Sequence, residues 1–166
     1  MAQVAFKGSP VHTNGELPSK GSKAPDILLT GHDLQDLSLK SFQGKKKLLM
    51  ILPSLDTSVC AACAKKLNEF AKSHPEDFVL IISADLPFAQ KRFCTSENLT
   101  NIVTLSMMRS KDFAISYGVL LVDGPLKGLC ARALLALDAK DIILYAELVS
   151  EITKEPDYDK AIEALR

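Results

Sequence analysis

The sequence predicts an α/β fold, with a central mixed sheet flanked by helices and a β-hairpin at its N-terminal end. Three observations predict it. Residues 48–52, 78–83, 102–105, 133–137 and 142–148 form apolar runs too continuous for strands with one wet face. Such runs fit strands covered on both sides. Between the first two, Cys60, Cys63, Ala64, Leu67, Phe70 and Ala71 recur at helical spacing, with Lys65, Lys66 and Glu69 opposite. Finally, strand and helix patterns alternate through the first half, whereas the last two strands are adjacent and precede a terminal helix.

The elements follow in order. Residues 4–7 and 11–13 flank Gly8-Ser9-Pro10, a hairpin signal. A loop at 21–25 leads into 27–29, expected as an edge strand, and 37–39 reads as another short strand ending near Gly44. Lys45-Lys46-Lys47 reads as a solvated basic loop before the first central strand. Beyond the helix that begins near Cys60, further helices are expected from Pro87, from Lys111 to Tyr117-Gly118, and from Pro156. The last should bury Tyr158, Ala161, Ile162 and Leu165. This order suits a thioredoxin-like domain, expected to span residues 1–166 as one unit, since no repeat, linker or low-complexity tract interrupts it.

Twenty basic residues balance twenty acidic ones, leaving no electrostatic footprint for nucleic acid or an anionic membrane. No apolar run reaches the length of a membrane span, and the first residues lack the pattern of a secretory signal. A cytoplasmic location is therefore expected. Four cysteines without a secretion signal are not read as a disulfide scaffold. No second ligand pair accompanies Cys60-x-x-Cys63, and His12, His32 and His74 have no zinc spacing, so neither a metal nor a cofactor is expected.

Cys60 is the candidate nucleophile. It follows an apolar strand and the turn 53–57, at the start of a helix, where free N–H groups and the helix dipole favour a thiolate. Thr57 puts a hydroxyl near whatever the sulfur attacks, and Pro53, without an N–H, can shape and shield the pocket.

The segment Pro53-x-x-x-Thr57-x-x-Cys60 resembles the signature of peroxiredoxins. The stretches 83–94 (SADLPFAQKRFC), 123–132 (DGPLKGLCAR), 6–11 (FKGSPV) and 151–158 (EITKEPDY) are similar to the bacterial thiol peroxidase branch, and together they cover essentially the whole chain. The resemblance implies a peroxidase acting on hydrogen peroxide and organic hydroperoxides. It implies Cys60 as the peroxidatic cysteine and Cys94 as the resolving cysteine of the same subunit, with Thr57, Arg132 and Pro53 completing the site. It further implies thioredoxin as reductant and a homodimer. In that scheme the Cys60 thiolate takes the distal peroxide oxygen to become a sulfenic acid, Cys94 condenses with it, and a dithiol reopens the bond.

A low thiol pKa cannot alone explain such catalysis. For any thiol, a fall from about 8.5 to about 6 raises the thiolate fraction at neutral pH roughly 30-fold. A Brønsted coefficient near 0.45 then lowers nucleophilicity roughly 13-fold, leaving about a twofold gain. Orientation of the peroxide and stabilisation of the leaving oxygen must supply the rest.

The residues also admit plainer readings. Thr57 could simply cap the helix, Arg132 could sit in a structural ion pair, and Cys94 could be a buried thiol. Cys63 falls on the core stripe, but with Cys60 it could form a thioredoxin-type pair in a thiol–disulfide oxidoreductase. A redox-sensing interaction module is a third reading. Cys130, two residues before Arg132, would share its side of an extended chain, although packing remains its plainer reading. Leu55, Pro87 and Phe88 could line an alkyl-binding pocket or belong to the core.

Overall fold

The computed structural model describes residues 1–166. A hairpin, β1 (Gln3–Phe6) and β2 (Ser9–His12), stands apart from a seven-stranded sheet. That sheet contains β3 (Leu29–Thr30), β4 (Asp36–Leu37), β5 (Lys47–Ile51), β6 (Phe78–Ser83), β7 (Val103–Ser106), β8 (Ala133–Leu137) and β9 (Ile143–Leu148), in the order β4-β3-β7-β6-β5-β8-β9. β5, β6 and β7 are parallel, and the remaining pairs are antiparallel. The sheet is mixed, as expected. β5 lies between β6 and β8 with all five residues buried, which is why its sequence shows no alternation.

The sheet separates two apolar layers. Leu48, Met50 and Leu52 point to one, with α1 (Ser58–Ser73), α4 (Tyr158–Ala164) and Phe93 and Cys94 of α2 (Pro87–Ser96). Leu49 and Ile51 point to the other, with Phe42, α3 (Asp112–Ser116) and Tyr117. The α1 stripe packs as its spacing implies, with Phe70 only half-buried and Asn68 joining it by accepting the Asn101 N–H. In α4, Ile162 is likewise half-buried rather than core. Beyond α3, Gly118 at φ +67° passes against Glu16, where a Cβ would lie 2.1 Å from the Glu16 carbonyl oxygen. Only glycine fits there.

Two short-range expectations are overturned. The 27–29 segment pairs as Leu29–Thr30 and is not an edge, because β4 covers it and so takes the outer position. Lys45-Lys46-Lys47 is not a solvated loop throughout. Lys45 is exposed, but Lys47 is a fully buried residue of β5. Its Nζ donates to Asp141 Oδ1 at 2.6 Å and to the Lys45 carbonyl at 2.9 Å. The acceptor that permits this burial is 94 residues away in sequence.

Candidate active site

The turn between β5 and α1 is held from below. Asp85, just past β6, accepts Ser54 Oγ at 2.7 Å, the Leu55 N–H at 2.8 Å and Ser83 Oγ at 2.7 Å. Sequence reasoning missed Asp85, because only the parallel pairing of β5 with β6 sets this carboxylate beneath the turn. Thr57 is the N-terminal boundary residue of α1, but its side chain makes no capping bond. Its Oγ1 donates instead to the Ser54 carbonyl at 3.0 Å. The capping alternative is therefore not what this threonine does. The hydroxyl sits exposed at the mouth of a pocket of about 290 Å³.

Cys60 lies in the first turn of α1, fully buried. Arg132 immediately precedes β8 and is 2% exposed. Its Nε donates to the Ile152 carbonyl at 2.9 Å, which fixes the plane of the guanidinium. Nη2 then lies 3.3 Å from Cys60 Sγ and Nη1 3.5 Å from Cys63 Sγ. No carboxylate pairs with it, so the ion-pair alternative fails. Antiparallel pairing of β8 with β5 brings the segment before β8 to the end of β5 from which the 53–57 turn departs.

Pro53, Thr57 and Arg132 all line the pocket, together with Ser54, Ser58, Val59 and the apolar Phe6, Leu126, Leu129 and Ile152. Leu55, Pro87 and Phe88 do not line it. Leu55 and Pro87 are buried elsewhere, and Phe88 is 63% exposed. The apolar wall comes from Phe6, Leu126, Leu129 and Ile152, which lie in the 6–11, 123–132 and 151–158 stretches but show no periodicity that would place them in a pocket. Glu151 holds the hairpin tip in place, accepting the Lys7 and Gly8 N–H groups at 3.0 Å each. The Gly8 N–H above all, with bonds from Thr153 and Lys7, holds its carboxyl down at about 2, although the residue is only half-buried.

The other thiols divide. Cys94 is half-buried on α2, beside a second cavity lined by Lys91, Thr95, Asn98 and Leu99, and burial raises its pKa. Cys130 does not share a side with Arg132. The chain is not a regular strand between them, and Cys130 packs in the opposite apolar layer, 3.6 Å from Met107 Sδ. Burial pushes its thiol up to about 12, so it behaves as a packing residue. Cys63 is fully buried in the core but also meets the guanidinium, a contact that helical periodicity alone did not reveal. All four cysteines are free thiols. No group of three or more His, Cys, Asp or Glu side chains is placed to hold a metal ion. No helix is long and apolar enough to cross a membrane.

Comparison with known proteins agrees with this geometry. Residues 19–162 match the Redoxin family. A thiol peroxidase from Leptospira interrogans is 49% identical over 99% of this chain and 97% of its own. Among solved structures, a peroxiredoxin-like protein from Aquifex aeolicus superposes with a TM-score of 0.91 at 38% identity, covering 99% of this chain and 98% of its own. A thiol peroxidase from Chromobacterium violaceum gives 0.90 at 28% identity, covering 97% and 93%. The agreement spans both the sheet and the segments that build the pocket, and the chain belongs to the Redoxin family as a thiol peroxidase of the peroxiredoxin type.

Proposed function

We propose that Cys60 is the peroxidatic cysteine and Cys94 the resolving one, within a single peroxiredoxin domain spanning residues 1–166. One observation carries the reading. A guanidinium 2% exposed, with no carboxylate partner, has Cys60 Sγ 3.3 Å from Nη2. A buried cation is expensive unless an anion compensates it. A thiolate at Cys60 does so, and it is also the nucleophile that peroxide reduction requires. Arg132 then stabilises charge passing from sulfur to the departing oxygen, while the Thr57 hydroxyl orients the peroxide and Pro53 closes the wall without competing as a donor. The apolar lining from Phe6, Leu126, Leu129 and Ile152 supports alkyl hydroperoxides as substrates alongside hydrogen peroxide.

Cys94 condenses with the sulfenic acid after the α1 start or the α2 end unwinds, and thioredoxin reduces the resulting bond. Thiols kept ready at Cys60 and Cys94 suit the reducing cytoplasm. Homodimerisation is supported by exposed Leu86, Phe88 and Met108, which flank the ends of β6 and β7 beside the site. Relatives named as thiol peroxidases support this reading over the protein-disulfide oxidoreductase and the sensing module. The test is peroxide consumption with a thioredoxin reducing system. Wild type turns over, Cys60→Ser does not, and Cys94→Ser consumes a first equivalent but loses most of its turnover. Full turnover by a folded Cys60→Ser variant would overturn the assignment.

A further inference from the structure

Cys63 is a buried thiol to which the cycle above gives no work, yet it shares the Arg132 guanidinium with Cys60. We infer that Cys63 is a second resolving thiol, trapping the Cys60 sulfenic acid as a Cys60–Cys63 disulfide inside the folded site. The inference rests on Cys60 being the peroxidatic cysteine and is separate from a role in exchanging protein disulfides.

Distance is the first argument. Residues one helical turn apart have Cβ atoms about 5–6 Å apart. A disulfide needs about 3.5–4.5 Å between them. Closing that gap takes a modest adjustment in the first turns of α1, where the helix has no side-chain cap to resist it. Cys94 lies on a different helix, outside the turn that holds Cys60 and Cys63.

Charge is the second argument. Burial is the main cause that holds the Cys63 thiol neutral, opposed by the nearby Tyr158 hydroxyl, which itself donates to Glu155 at 2.8 Å, and by the positive charge of Arg132. Negative charge on Cys60 adds to the cost of ionising Cys63. When Cys60 becomes a neutral sulfenic acid, that repulsion vanishes and Arg132 is left without an anionic partner. Oxidation of Cys60 thus favours the thiolate of the sulfur that shares its guanidinium. The Cys63 thiolate attacks the Cys60 sulfur, the S–O bond breaks, and hydroxide leaves and takes up the proton that Cys63 released, giving water. Peroxide has supplied the oxidising equivalents. Cys94 or the external dithiol opens the bond by exchange.

The experiment uses Cys94→Ser and Cys63→Ser/Cys94→Ser, each treated with one equivalent of peroxide and analysed by intact mass and peptide mapping. Cys94→Ser is expected to lose two hydrogens, mapped to Cys60–Cys63, and to label with a sulfenic-acid reagent about tenfold less than the double variant. With excess peroxide it should also resist sulfinic acid formation better than the double variant does. If the double variant does not fold, the mapped bond in Cys94→Ser still decides the matter. Consumption of peroxide with a persistent added oxygen on Cys60 of Cys94→Ser overturns the role of Cys63 and leaves Cys60 as nucleophile. No consumption of a first equivalent overturns both.

Discussion

Replacing Asp85 tests whether the 53–57 turn is preorganised by tertiary contacts or by its own sequence. The carboxylate accepts two bonds from the turn, Ser54 Oγ and the Leu55 N–H, and one from Ser83 on the strand beneath. Bonds to a charged acceptor contribute about 1.5–3 kcal/mol each. The two tethers act on adjacent residues and are not additive, so Asp85→Ala should weaken the hold on the turn by about 2–4 kcal/mol. The loss falls on Thr57, whose hydroxyl position depends on the Ser54 carbonyl. We expect the reaction of reduced protein with peroxide to slow by roughly 10–100-fold, because misplacement on the order of an ångström costs about that much. Asp85→Asn keeps the shape and one carbonyl acceptor that can still take the Leu55 N–H, so its rate should stay within about fivefold. The assay is stopped-flow single turnover, with thermal unfolding alongside to separate the turn from the whole fold. A folded Asp85→Ala variant reacting at close to the wild-type rate would refute the reasoning.

Arg132→Lys keeps a charge but cannot reach the Ile152 carbonyl and both sulfurs in one plane, so kcat/KM for peroxide should drop by about 10–100-fold in steady-state assays. Asp141→Asn suits the left-handed backbone there, at φ 65°, but deprives buried Lys47 of its counter-ion. It should cost about 2–3 kcal/mol in urea unfolding, a little less than a fully broken buried pair because the amide oxygen still accepts a bond. Glu151 has a carboxyl depressed from 4.5 to about 2, so its hold on the hairpin tip is complete above about pH 4.5 and is lost as pH falls towards 2. The Lys7 and Gly8 amide NMR signals should move over that range, and Glu151→Gln should remove the transition.

The sequence by itself determined the elements whose pattern is set by their own burial. β6 and β8 carry the expected bounds and β5 lies within one residue of its own, because a strand covered on both faces must be apolar throughout. β7 and β9 also lie within one residue of theirs, although β9 is a half-buried edge strand. The stripe on α1 and the proline at the start of α2 are equally local. Cys60 was legible for the same reason, since a strand, a turn and a helix start are consecutive in the chain. What only the tertiary structure decided are the partnerships between distant residues. Lys47 reads as one of three solvated lysines until Asp141 folds over it. Cys63 reads as core until Arg132 arrives beside it, and Cys130 would share the side of Arg132 on an extended chain until the irregular backbone between them turns it to the other layer. Asp85 falls in the 83–94 stretch, but nothing there shows that it meets the 53–57 turn. Periodicity reports which face of an element is dry, whereas the charge or hydrogen bond that meets that face comes from chain far away, and only sheet order and register bring it there.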